Sequence, residues 1–148
     1  MKDSVLIKES SFEKARKKIK ENKDKNIIFS SDDNELNRKV LEKEKIDILL
    51  LNQSKRKDFQ KQRDSGLNHI LAKIAKKNNV IIGINLDEII NSTPIQKSQI
   101  LGRIIQNIKL CNKNKLKMKF ISDEKRNLHD LKSLGLVLGM PTWMTKNL

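Results

Sequence analysis

Short, nearly continuous apolar runs, separated by amphipathic helical stretches, constrain this chain most. Ile27-Ile28-Phe29, Ile46 to Leu51 and Val80 to Leu86 are three of them, and Met118, Phe120 and Ile121 mark another. Runs of this length, rich in β-branched residues, are the pattern of strands buried on both faces. Ser4 to Ile7 adds a short strand at the start. The expected order is β-α-β-α-β-α-β-α-β-α, which implies a parallel sheet covered by helices. Because parallel crossovers are right-handed, this order fits a curling barrel or an open doubly wound sheet. Periodicity alone leaves both open.

The stretch from Arg63 to Leu86 carries the strongest local signals. Asp64 is a candidate N-cap. Leu67, Ile70, Leu71, Ile74 and Ala75 then follow one helical stripe, and Asn78-Asn79 can end the helix. Elsewhere Phe12 to Lys25 reads as a charged helix with a thin seam of Phe12, Ala15 and Ile19. Asp32 or Asp33 can cap a helix whose Leu36, Val40 and Leu41 face inward. Asp87 to Thr93 reads as a connection, after which Ser92 or Thr93 caps a long helix with Pro94 near its first position. Leu101, Ile104, Ile105 and Ile108 mark its buried face. The last helix spans Leu128 to Leu138, with Gly139 and Pro141 as its stop. These elements make one domain over residues 1–140 and a C-terminal tail over 141–148, in which Trp143 has no assigned role.

With aromatics at 3% of 148 residues, the core must be built mainly of Ile, Leu and Val. The formal net charge of +14 points to a polyanion, and nucleic acid fits it best. The alternative is a lysine-rich solvated surface. The single cysteine, Cys111, excludes an internal disulfide and suits a reducing interior. The chain shows neither a signal-peptide pattern nor an apolar run near the ~18 residues of a membrane span. A soluble, cytoplasmic protein is the expectation.

Little in the sequence supports catalysis. There are two histidines, His69 and His129, with no His-x-His pair and no cysteine pair at metal spacing. The five glycines form no phosphate loop, and no Gly-x-Ser-x-Gly elbow is present. Asp32-Asp33 follows a strand, as in phosphoacceptor receivers, but the next central strand ends in Asn52. Helix capping explains the acidic pair better.

Two motifs carry a resemblance. The first is Ser65-Gly66-Leu67-Asn68-His69 followed by an apolar strand ending in Ile84-Asn85. The second is Arg126 with Asp130-Leu131, Ser133-Leu134 and Leu138-Gly139-Met140. In this order and spacing, roughly from Ile27 to Met140, the chain resembles the archaeal ribonuclease P protein component 3 family. The resemblance implies a TIM-barrel-like fold related to the polymerase-and-histidinol-phosphatase superfamily. Part of the family's N-terminal βα region has no counterpart here, so the expected barrel is incomplete or shortened at the N-terminus. The implied function is that of a noncatalytic RNA-binding subunit of ribonuclease P, the endonuclease that removes the 5′ leader of precursor tRNA. Implied partners are the ribonuclease P RNA, component 2 and other protein subunits, with precursor tRNA reached through the holoenzyme and no membrane. No cofactor is expected in this chain; Mg2+ is expected for the RNA. The competing reading is a degenerate metal-dependent phosphoesterase of the same superfamily.

Loops at the C-terminal ends of strands carry function in βα proteins. The loop from Asn52 to Arg63 leaves such an end, and Arg126 follows the last strand there. Lys55, Arg56, Lys57, Arg63 and Arg126 are therefore the expected RNA-facing charges. His69 and Arg126 also match the family motifs. Asp130, four residues after Arg126, is expected to orient it or to cap the helix. A solvated-charge reading stands beside each lysine, and a backbone hydrogen bond beside His69.

Overall fold

The computed structural model describes residues 3–148. In chain order the elements are β1 (Ser4–Lys8), α1 (Phe12–Glu21), β2 (Asn26–Ser30), α2 (Asn34–Lys43), β3 (Ile48–Leu51) and α3 (His69–Lys77). They continue with β4 (Ile81–Asn85), α4 (Leu86–Asn91), α5 (Pro94–Lys113), β5 (Met118–Ile121), α6 (Leu128–Val137) and α7 (Thr142–Lys146).

All strand pairs are parallel, and the strands lie side by side in the order β1-β2-β3-β4-β5. This order decides what the sequence left open. A doubly wound sheet reverses direction at a switch point, whereas here every crossover steps the same way. Right-handed crossovers then put all helices on one face, as in a TIM barrel. Among the described residues the sheet remains open, with β1 and β5 as its edges.

Alternation along each strand separates two cores. Ile7, Ile27, Phe29, Leu49, Leu51, Ile82, Ile84 and Met118 point to the helices and join the main core. Ile28, Ile48 and Leu50 point the other way and form a small second cluster with Ile81 and Ile121. Gly83 sits on this inner face. A Cβ there would lie 3.0 Å from Ile48 Cγ2 and 3.2 Å from Leu50 Cδ1, so the absent side chain is what lets the inner cluster close.

Several local expectations change. Helix α3 begins at His69, not near Asp64; Asn68 is its N-cap and accepts the Leu71 N–H at 2.8 Å. Gly66, at φ +78°, turns the chain away from a helical path, and Asp64 is occupied by the Gly66 N–H and by Arg56. The stretch expected as a connection after β4 contains α4, capped by Asn85, with Leu86 and Ile89 buried. Strand β3 starts at Ile48 rather than Ile46. Asp33 caps α2, and Thr93 forms a capping box with Gln96 at the start of α5. Residues 141–148 hold α7: Met144 is in the main core, and Trp143 Nε1 donates to Asn112 Oδ1 at 3.0 Å. No helix among the described residues is long and apolar enough to cross a membrane.

Candidate nucleic-acid interface

The long β3–α3 loop is tied down by a buried polar network. At its root, Asn52 donates to Ser30 Oγ and accepts from Asn85, linking three strand ends. Gln53 Nε2 donates to the Ser65 carbonyl at 2.9 Å, and Asn107 Nδ2 of α5 donates to the same oxygen. Arg103 of α5 is the main clamp. Its side chain is 4% exposed, its Nε donates to Asp58 Oδ1 at 2.9 Å, and its Nη1 donates to the Gln53 carbonyl at 2.9 Å. The Arg103 hydrogen bond holds the Asp58 carboxyl below its usual value, helped by the Asp64 N–H.

Two adjacent carboxylates on α4 connect this loop to the one after β5. Glu88 accepts from the Gln53 N–H and the Ser54 hydroxyl, both at 2.8 Å. Asp87 accepts from the Ser122 hydroxyl at 2.6 Å and the Asp123 N–H at 2.9 Å. These bonds, the Ser122 one above all, lower the Asp87 pKa, and Arg126 adds to the effect. The Asn52–Arg63 loop and Arg126 are thus at one end of the sheet, joined through α4.

The expected RNA-facing residues divide into two sets. Lys55, Lys57 and Arg63 are exposed, and the Arg63 guanidinium lies over Gly102 of α5. His69 is exposed at the first position of α3. Arg56 is different: its side chain is only 7% exposed. It donates to the Asn52 carbonyl at 2.8 Å and to Asn34 Oδ1 at 2.9 Å, and lies 3.4 Å from Asp64. Burial pushes its pKa down against the pull of Asp64. Arg56 holds the loop together. Arg126 is half-buried and pairs with Glu124 at 3.3 Å and Asp87 at 3.8 Å. The expected Arg126–Asp130 pair does not form. Asn127 caps α6 instead, accepting the His129 and Asp130 N–H groups, because its side chain already stands at the N-cap.

Sequence reasoning missed the clamp from α5, though its signal was present. Ile100, Arg103, Ile104, Asn107, Ile108 and Cys111 share one buried helical stripe. An arginine and an asparagine on an apolar stripe call for buried partners. Among the described residues, no group of three or more His, Cys, Asp or Glu converges to hold a metal ion. His69 and His129 stand on different helices.

Comparison with known proteins bears on this geometry. No known family profile matches the chain. It is 31% identical over 137 residues to "Ribonuclease P protein component 3" of Methanococcus maripaludis strain C7, covering 93% of this chain and 56% of that protein. The chain is similar to archaeal ribonuclease P protein component 3. A second component 3, from Methanocaldococcus jannaschii, is 28% identical over 96% of this chain and 62% of its own length. Among solved structures, a chain of archaeal ribonuclease P with mature tRNA, determined by cryo-EM, superposes with a TM-score of 0.81 at 26% identity. That match covers 98% of this chain and 63% of the other. The chain therefore spans somewhat over half the length of the component 3 proteins it matches.

Proposed function

We propose that this chain acts as a noncatalytic, RNA-binding subunit of a ribonuclease P, the endonuclease that matures the 5′ end of tRNA. The observation that carries the reading is its likeness, over 98% of its length, to a chain of archaeal ribonuclease P with mature tRNA. Its similarity to component 3 proteins and its net charge of +14 support the same reading.

The physical task of such a subunit is electrostatic. Folding a compact RNA crowds phosphates together, and a basic protein lowers that repulsion. The active RNA fold then gains population without the protein touching the scissile bond. In this reading Mg2+ serves the RNA, and this chain carries no cofactor of its own. Its work is done in the cytoplasm, together with the RNA. Component 2 is the protein partner this reading implies. The outer face of α6 suits such a contact, since Leu136 is 52% exposed and Val137 83% exposed.

The test is precursor-tRNA cleavage at low magnesium by the cognate ribonuclease P RNA and the other protein subunits, with and without this chain. The reading expects omission to lower the cleavage rate at least tenfold at low magnesium, with partial rescue by added magnesium. Unchanged cleavage without the chain would overturn it.

A further inference from the structure

We infer that the main phosphate-binding surface of this chain lies at the N-terminal end of its strands, around the α3–β4 and α5–β5 turns. This rests on the ribonuclease P reading and relocates its RNA contact. The Asn52–Arg63 loop, where the sequence places that contact, is at the opposite end.

A sheet built by same-handed, sequential crossovers has two unlike ends. Every β-to-α loop is at one end and every α-to-β turn at the other. Charge is distributed unequally between them. At the C-terminal end of the strands, Arg56 meets Asp64, Arg103 meets Asp58, and Arg126 meets Asp87 and Glu124. Asp32, Asp33, Glu88 and Asp123 add further negative charge there. The exposed lysines of the long loop thus act in a field close to neutral.

The other end is lopsided. The α3–β4 turn brings Lys76 and Lys77, and the α5–β5 turn brings Lys113, Lys115 and Lys117; all five are exposed, and neither turn contains an acid. The neighbouring α1–β2 and α2–β3 turns continue the row with Lys25 and Lys45. Of the acids nearby, Glu44 is held by Arg16 at 3.0 Å and Asp47 accepts the Ile27 N–H at 2.8 Å, while the exposed Asp24 beside Lys25 is offset by Lys23 in the same turn. Among the described residues none of these lysines has an ion-pair partner, so their charge is available.

The shape suits an extended polyanion. Asn79 at φ 56° and Lys115 at φ 58° turn the chain abruptly into β4 and β5, which keeps both turns short. Lys76 Nζ donates to the Lys115 carbonyl at 3.0 Å and joins the two turns. Between them is a shallow depression of about 240 Å³, lined by Lys76, Asn79, Val80, Ile81, Leu116 and Lys117. With strands ~4.8 Å apart, turns on four successive strands spread positive charge along a row of about 15 Å. Such a row can follow several phosphates of an RNA backbone. Lysine fits that use as a mobile point charge, without base recognition.

The experiment compares two variants that remove equal charge. One carries Lys76→Gln, Lys77→Gln, Lys115→Gln and Lys117→Gln. The other carries Lys14→Gln, Lys17→Gln, Lys39→Gln and Lys132→Gln, on the surfaces of α1, α2 and α6 away from the row. Each full-length chain is titrated against its cognate ribonuclease P RNA over a series of KCl concentrations, with circular dichroism as the folding check. If four phosphate contacts are lost, the slope of log K against log salt falls by about 3 in the first variant. In the second it stays within about 1 of the parent. Equal losses in both, or no loss in the first, overturn the proposal while salt-dependent binding by the parent sustains the underlying reading. Absence of salt-dependent binding by the parent overturns the reading and the proposal together.

Discussion

Replacing Arg103 by Met keeps the aliphatic stem and deletes the two bonds that Arg103 makes to the β3–α3 loop. The two bonds differ in value. The Gln53 carbonyl is buried and accepts from a charged donor at 2.9 Å, a bond of about 1.5–3 kcal/mol. The Asp58 side chain is 33% exposed, so solvent screens its pair, leaving about 0.5–1 kcal/mol. Against these stands the desolvation of a guanidinium that is 4% exposed, which the substitution removes. Asp58 can be hydrated once Arg103 is gone, so only the Gln53 carbonyl is stranded. The expected net loss is about 2 kcal/mol, which for a chain of this length lowers Tm by roughly 4–8 °C. Urea unfolding followed by circular dichroism measures it. Asp58→Asn alone is expected to cost about 0.5–1 kcal/mol. Hydrogen exchange adds a local check, since amides of the loop from Gln53 to Ser65 should exchange faster in Arg103→Met with little change in β2. Stability equal to or above the parent would refute the reasoning, because desolvation would then outweigh both bonds.

Three further outcomes follow from the same geometry. Asn68→Ala should cost about 1 kcal/mol by removing the cap of α3, and reduced stability in thermal unfolding with intact loop exchange would identify the helix end as the site of damage. Asp58 and Asp87 have folded pKa values below the ordinary carboxylate value of about 4, so the unfolded chain binds more protons in acid. Their stabilisation is complete above that value and is lost as pH falls through the lowered ones; the double variant Asp58→Asn/Asp87→Asn should flatten the stability profile below pH ~4. Cys111 is fully buried and its thiol pKa is pushed up to about 12, so an aromatic disulfide reagent at pH ~8 should label it only as fast as the protein opens. Rapid labelling of the folded chain would contradict the packing of α5.

Strand and helix types were readable because apolar periodicity records how many faces an element buries. Leu49, Leu51, Ile82 and Ile84 disclose strands covered on the helix side, and Ile104 and Ile108 disclose the inner stripe of α5. The resemblance carried by Ser65 to His69 and by Arg126 to Met140 points the same way as the similarity to component 3 proteins. Helix starts were less legible. Asp64 and Asn68 are both good caps on paper, and only the left-handed turn at Gly66 and the pull of Arg56 on Asp64 select Asn68.

By itself, then, the sequence determined the alternation of buried strands with amphipathic helices and the excess of positive charge, because both are sums over local residue chemistry. Tertiary structure decided the rest. The order β1 to β5, a pairing between segments distant in the chain, selected the barrel-like arrangement over the doubly wound one. It also decided which charges remain free. Arg56 and Arg103 are drawn into buried clamps by partners that stand eight and 45 residues away, Asp64 and Asp58, whereas Lys76 and Lys115 are brought together from 39 residues apart with no acid in either turn. Electrostatic work depends on such distances in space, and those exist only once the chain has folded.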